Sequence, residues 1–149
     1  MNRAEYIIRD GLFYSSHTGK LANFIFKKNI VVDRFYRIFI VRKSDWFIGH
    51  HHSAPVSGEP VYFAGEVKIR NGKLIGLNTN SGHYMPSNEN LYNYLKYLQS
   101  LGVDLHDVKM GREPHHDSFQ YNVHEFMLEY KKSIEIKQCQ KFYNVTDNF

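Results

Sequence analysis

The chain has 149 residues and a formal charge of +4, from 19 Lys and Arg against 15 Asp and Glu, which fits one domain and leaves little room for a second. Its single cysteine, Cys139, excludes an intrachain disulfide and a zinc site built on several thiolates, and favours a reducing compartment. The start MNRAEYIIRDG has no apolar signal run, and no window approaches the roughly 18 apolar residues of a spanning helix, so a soluble domain in a cytoplasm, or one delivered into a target cell by a specialised secretion system, is expected.

Residues 1 to 34 carry mixed signals. AEYIIRDGLFYSS reads as a strand pair around Asp10-Gly11, while GKLANFIFKKN packs four apolar residues into a short window. FYRIFIVR is β-branched and aromatic, Lys43-Ser44-Asp45 supplies turn chemistry, and WFIGHHH follows, which reads as a hairpin.

The strongest local signal is VYFAGEVKIR, then Asn71-Gly72, then KLIGLNTN. A two-residue type I′ turn needs positive φ at both centres, which Asn-Gly supplies. That turn sets Arg70 opposite Lys73, and an unbroken ladder then sets Glu66 opposite Leu77, Ala64 opposite Thr79 and Tyr62 opposite Ser81. Alternation places Tyr62, Glu66, Thr79 and Ser81 on one face, with His83 just beyond, and Phe63, Val67, Ile69 and Leu74 on the core face.

Ser87 is placed to cap a helix over NENLYNYLKYLQSL, with Leu91, Tyr94, Leu95, Leu98 and Leu101 as its apolar stripe and Gly102 as a left-handed stop. VDLHDVKM returns as a strand with Val103, Leu105 and Val108 inward. Residues 111 to 123 read as loop, and HEFMLEYKKSIEIKQ as a second helix with Phe126, Met127, Tyr130 and Ile134 on one side. Together these elements predict one α+β domain over residues 1–149, antiparallel hairpins forming a small curved sheet with one or two packed helices.

Groups able to move protons gather between His50 and Met110. His51 or His52 beside Ser53, at the end of an apolar strand, can position a reacting hydroxyl or a phosphate. In Ser81-Gly82-His83-Tyr84, Gly82 frees the backbone so that His83 and Tyr84 project from a tight bend. Glu66 is a carboxylate in an apolar strand, costly unless paired or functional, and Lys68 is the neighbour placed to neutralise it. His115-His116-Asp117 has no partner at zincin spacing, so no metal is expected. Phosphate loops, G-x-G-x-x-G and the G-x-S-x-G elbow are all missing from the sequence.

His52-Ser53, Ala64-Gly65-Glu66, Ser81 to Pro86, and a helix ending in Gly102-Val103-Asp104 occur in one order over residues 50–110. This segment resembles the core of the plant IQ-motif calmodulin-binding IQM proteins, and is similar to domains at the ends of bacterial polymorphic toxins and effectors. The resemblance implies calmodulin as a partner, but the chain holds no I-Q-x-x-x-R-G segment and its second helix is charge-balanced, which puts calmodulin in doubt.

The expectation from these parts is an effector or toxin-type enzyme acting on a nucleotide-containing substrate, with ADP-ribosyl transfer from NAD as the reaction. Its catalytic residues would be His52, Ser53, Glu66 and His83, and its substrate-binding residues Tyr62, Ser81, Gly82 and Tyr84. One alternative is a metal-free ribonuclease toxin using His52 and His83 as base and acid. Another is a non-catalytic module that holds a host or target protein on its tyrosine-rich surface.

Overall fold

The computed structural model describes residues 4–41, 61–79, 87–111 and 118–146. Their strands are β1 (Glu5–Arg9), β2 (Leu12–Ser15), β3 (Lys28–Asp33), β4 (Ile38–Val41), β5 (Val61–Arg70), β6 (Lys73–Asn78), β7 (Lys109–Met110) and β8 (Tyr121–Asn122). The helices are α1 (Asn88–Ser100) and α2 (Val123–Thr146). The strands form one sheet in the order β2-β1-β4-β3-β5-β6-β7-β8. Every pairing is antiparallel except β6 with β7, which are parallel and joined through α1, so the α+β class expected from the sequence is the one observed.

β3 and β4 are buried on both faces, and their alternation separates two cores. Ile30, Val32, Ile38 and Ile40 join Phe63, Val67, Ile69, Leu74 and Leu77 beneath the helices. On the other face Val31, Phe39 and Ala64 form a smaller cluster with Val41 and Val61. α1 presses Leu91, Tyr94, Leu95 and Leu98 onto the larger core, and α2 adds Val123, Phe126 and Met127. Each such aliphatic or aromatic side chain contributes about 1.5–3 kcal/mol when taken fully from water.

The local signals act as the sequence predicts. Asn71 and Gly72 sit at φ 50° and 80° in the β5–β6 turn. Ser87 accepts the Asn90 amide at 3.1 Å to cap α1. Gly102, at φ 86°, closes the helix with its own amide on the Gln99 carbonyl and that of Val103 on Leu98, both at 3.0 Å.

Four expectations are corrected. Phe35 to Arg37 belong to a turn rather than a strand, and the described part of β4 pairs with β3 on one side and with β1 on the other; WFIGHHH, the expected second strand of the hairpin, lies outside the described residues. The β5–β6 register shifts between Lys68 and Ile69, where Ile75 is the extra residue, so Glu66 faces Asn78 and not Leu77. A second bulge sets Val32 against Phe63 but Asp33 against Val61, which turns Tyr62 onto the face of Phe63 and away from Glu66. Finally, Val103, Leu105 and Val108 are buried as expected, but only Lys109 and Met110 are strand, running parallel to β6.

Candidate functional site

Of the residues the sequence singles out, Glu66 and Tyr62 are described. His52, Ser53, Ser81, Gly82, His83 and Tyr84 lie outside the described residues, as do His50, His51 and the His115-His116-Asp117 run. The two that can be placed do not converge, because the bulge sends them to opposite faces of the sheet.

Glu66 is 1% exposed and stands in a polar rung across three strands, between Asn29 on β3 and Asn78 on β6. Its Oε1 accepts the Asn78 side-chain amide at 3.1 Å, and its backbone amide donates to Asn78 Oδ1 at 3.2 Å. Among the described residues Lys27 brings a cation to the carboxylate, with Nζ 3.7 Å from Oε1. Lys68, the neighbour in sequence able to neutralise it, lies 4.4 Å from the centre of the Phe119 ring. Gly65 lets the strands close up here, since a Cβ would fall on the Asn78 carbonyl oxygen and 3.3 Å from Phe63. The Asn29 side-chain nitrogen finds no acceptor among the described residues. The rung fixes register across β3, β5 and β6, and the carboxylate is committed to an amide and an ammonium.

The other face is aromatic. Tyr36 stacks on Tyr97 of α1 at 4.5 Å and meets Tyr62 edge-on at 4.9 Å. Tyr62 in turn meets Tyr94, whose ring lies 4.5 Å over Phe63. Burial raises the Tyr62 hydroxyl above its ordinary range, helped by the neighbouring Tyr36. Burial does the same more strongly to Tyr94.

The β3–β4 turn carries this cluster to the surface, and sequence reasoning did not single it out. Arg34, Phe35, Tyr36 and Arg37 are all exposed, with Phe35 at 60%. Asp33 holds them in place: fully buried, its Oδ1 accepts the amides of Phe35 and Arg37, both at 2.9 Å, and its Oδ2 accepts Arg37 Nε at 2.6 Å. The Tyr36 amide closes the turn on the Asp33 carbonyl at 3.0 Å. Tyr36 then adopts φ 64°, a conformation that costs a non-glycine residue about 1–2 kcal/mol. The guanidiniums of Arg34 and Arg37 lie 4.7 and 5.6 Å from the Phe35 ring centre. The available signal was Asp33 directly after an apolar run, with the four residues Arg-Phe-Tyr-Arg before Ile38.

Among the described residues no cluster of three His, Cys, Asp or Glu could hold a metal, and no helix is long and apolar enough to cross a membrane.

The model of the IQ motif-containing protein middle domain matches residues 2–91, a stretch that contains both the Glu66 rung and the Arg34–Arg37 turn. The IQ domain-containing protein IQM2 of Arabidopsis thaliana is 31% identical over 114 residues, covering 72% of this chain and 18% of that protein. IQM3 of the same plant is 30% identical over 114 residues, covering 72% and 24%. The chain thus spans less than a quarter of these relatives. No solved structure matches it. The matches overturn the expected bacterial effector or toxin enzyme, with its ADP-ribosyl transfer from NAD and its ribonuclease alternative, because the relatives found are plant IQ domain-containing proteins. Matched by that model over 60% of its length, the chain belongs to the family of the IQ motif-containing protein middle domain.

Proposed function

We propose that this chain is a non-catalytic binding module that grips a protein partner with the aromatic and cationic residues of the β3–β4 turn. The observation that carries this reading is Tyr36. A tyrosine occupies a backbone position that glycine fills without strain, stacked on Tyr97 beside a Phe35 ring left 60% exposed between two arginines. Aromatic and Arg side chains on a rigid support are what interface hot spots use, since pre-ordered groups lose little entropy on binding. Glu66, tied to Asn78 and Lys27, serves the sheet on this reading.

Membership of an IQ motif-containing family makes calmodulin the first partner to present. The chain has no I-Q-x-x-x-R-G segment, so calmodulin would be held by folded surface. The test immobilises the full chain and presents purified calmodulin, with calcium and with chelator, and then a cell extract. The Phe35→Ala/Tyr36→Ala double variant is compared with Lys73→Ala, a remote exposed control. The expected result is a protein retained by the parent and the control and weakened at least tenfold by the double variant. Equal retention by all three, or turnover of NAD by the parent chain, overturns the proposal.

A further inference from the structure

Resting on that reading, we infer that the partner segment docking on the β3–β4 turn is acidic, a stretch of polypeptide with carboxylates beside one apolar side chain. The turn offers two kinds of contact at one place. The Phe35 ring is an apolar plate, 60% exposed. The guanidiniums of Arg34 and Arg37 stand 4.7 and 5.6 Å from its centre. An arginine leaning on an aromatic ring keeps its in-plane N–H groups for a carboxylate, and the ring fixes where they point. Arg37 is further anchored because Asp33 takes its Nε, leaving the terminal nitrogens of the guanidinium for an incoming anion. Asp33 itself is fully buried, so the only carboxylate of the turn is withdrawn from an approaching ligand. Among the described residues Arg34 is paired with no carboxylate.

The neighbouring surface favours a polypeptide over nucleic acid. Among the described residues, the side chains gathered behind the turn are the phenols of Tyr36, Tyr62 and Tyr97, not a track of lysines. Two arginines neutralise far fewer phosphates than the roughly 6–10 that a nucleic-acid groove engages. A peptide needs only one carboxylate for each guanidinium and one apolar side chain on the Phe35 plate.

The experiment titrates the full chain into three fluorescein-labelled probes and reads anisotropy: a Glu-rich peptide with two leucines, a Lys-rich peptide with the same leucines, and a single-stranded RNA of similar length. The acidic peptide is expected to bind, to weaken as salt rises from about 50 to 200 mM, and to bind at least tenfold more weakly to Arg34→Glu and to Phe35→Ala. Arg34→Lys should restore only part of the loss. Circular dichroism confirms that each exposed-turn variant is folded. Absence of acidic-peptide binding, insensitivity to Arg34→Glu, or tighter binding of the RNA overturns the inference. The two proposals fail differently. A captured partner that is lost with Phe35→Ala/Tyr36→Ala but retained by Arg34→Glu removes the acidic class and leaves the binding module standing. A partner indifferent to all of these variants removes both.

Discussion

The Tyr94 hydroxyl is buried with no hydrogen-bond partner among the described residues, while its ring stacks on Phe63. Burying a hydroxyl without a partner costs about 1–3 kcal/mol, so Tyr94→Phe should stabilise the chain by about 1 kcal/mol, read as a higher urea midpoint with an unchanged slope. The same burial sets an alkaline limit. Its folded-state pKa lies above the ordinary 10.0, so the folded form keeps a proton that the unfolded chain releases. Stability is therefore complete below about pH 10 and falls above it by up to about 1.4 kcal/mol per pH unit. Titrating the urea midpoint between about pH 9 and 11 should show a shallower fall for Tyr94→Phe than for the parent. Glu66 gives the opposite kind of residue effect. Asn78→Ala strips the amide from a carboxylate that is 1% exposed and should cost about 3 kcal/mol in chemical denaturation. A loss below about 1 kcal/mol, the scale of an ordinary hydrogen bond, would show that the rung is not what holds Glu66.

At the scale of elements, the two bulges separate what could be read from the sequence from what could not. The Asn71-Gly72 turn, the Ser87 cap and the Gly102 stop each depend on one or two residues whose conformational preference is intrinsic, and each is observed. The Glu66 pairing depends on whether the ladder runs unbroken from the turn, and one extra residue at Ile75 shifts everything beyond it. β3 was illegible for a different reason. With both faces covered, KNIVVD shows no alternation, and a short apolar run does not declare its period. Two substitutions test these elements. Gly65→Ala drives a methyl into the Asn78 carbonyl and should destabilise β5–β6 by about 3 kcal/mol in thermal or urea unfolding. Tyr36→Gly relieves about 1–2 kcal/mol of backbone strain and gives up ring contacts of about 0.5–1.5 kcal/mol each with Tyr62 and Tyr97. The two should nearly cancel, leaving stability within about 1 kcal/mol of the parent while partner retention falls. A loss of stability several times larger would make Tyr36 a fastening of the turn onto α1 rather than a contact for a partner.

For the molecule as a whole, the sequence disclosed the α+β class and the residues of the larger core more fully than the surface proposed to bind a partner. Leu91, Leu95 and Leu98 are found where their spacing put them, because a helical stripe has only one way to face a sheet. The Arg34–Arg37 surface arises from long-range events: a bulge that rotates Tyr62, an α1 that offers Tyr97, and a turn held by Asp33. No single stretch of chain contains those relations, whereas the histidines and the Glu66 strand lie close together in sequence.

The outer side of β2 has a further consequence. It is already occupied, since Tyr14 bridges Leu21, the Ser15 amide donates to Lys20, and the Ala22 amide donates to Phe13. The same short segment continues to the β5–β6 turn, where the Gly72 amide donates to Ala22 and the Phe24 amide to Ile69. An exposed β2 would be a template for another chain to extend the sheet, and this built-in cover removes it. Extension by an incoming strand, whether from a ligand or from an aggregating copy, is blocked along that border. A partner of the surface proposed at the β3–β4 turn is thus met by side chains there, and not by strand addition at β2.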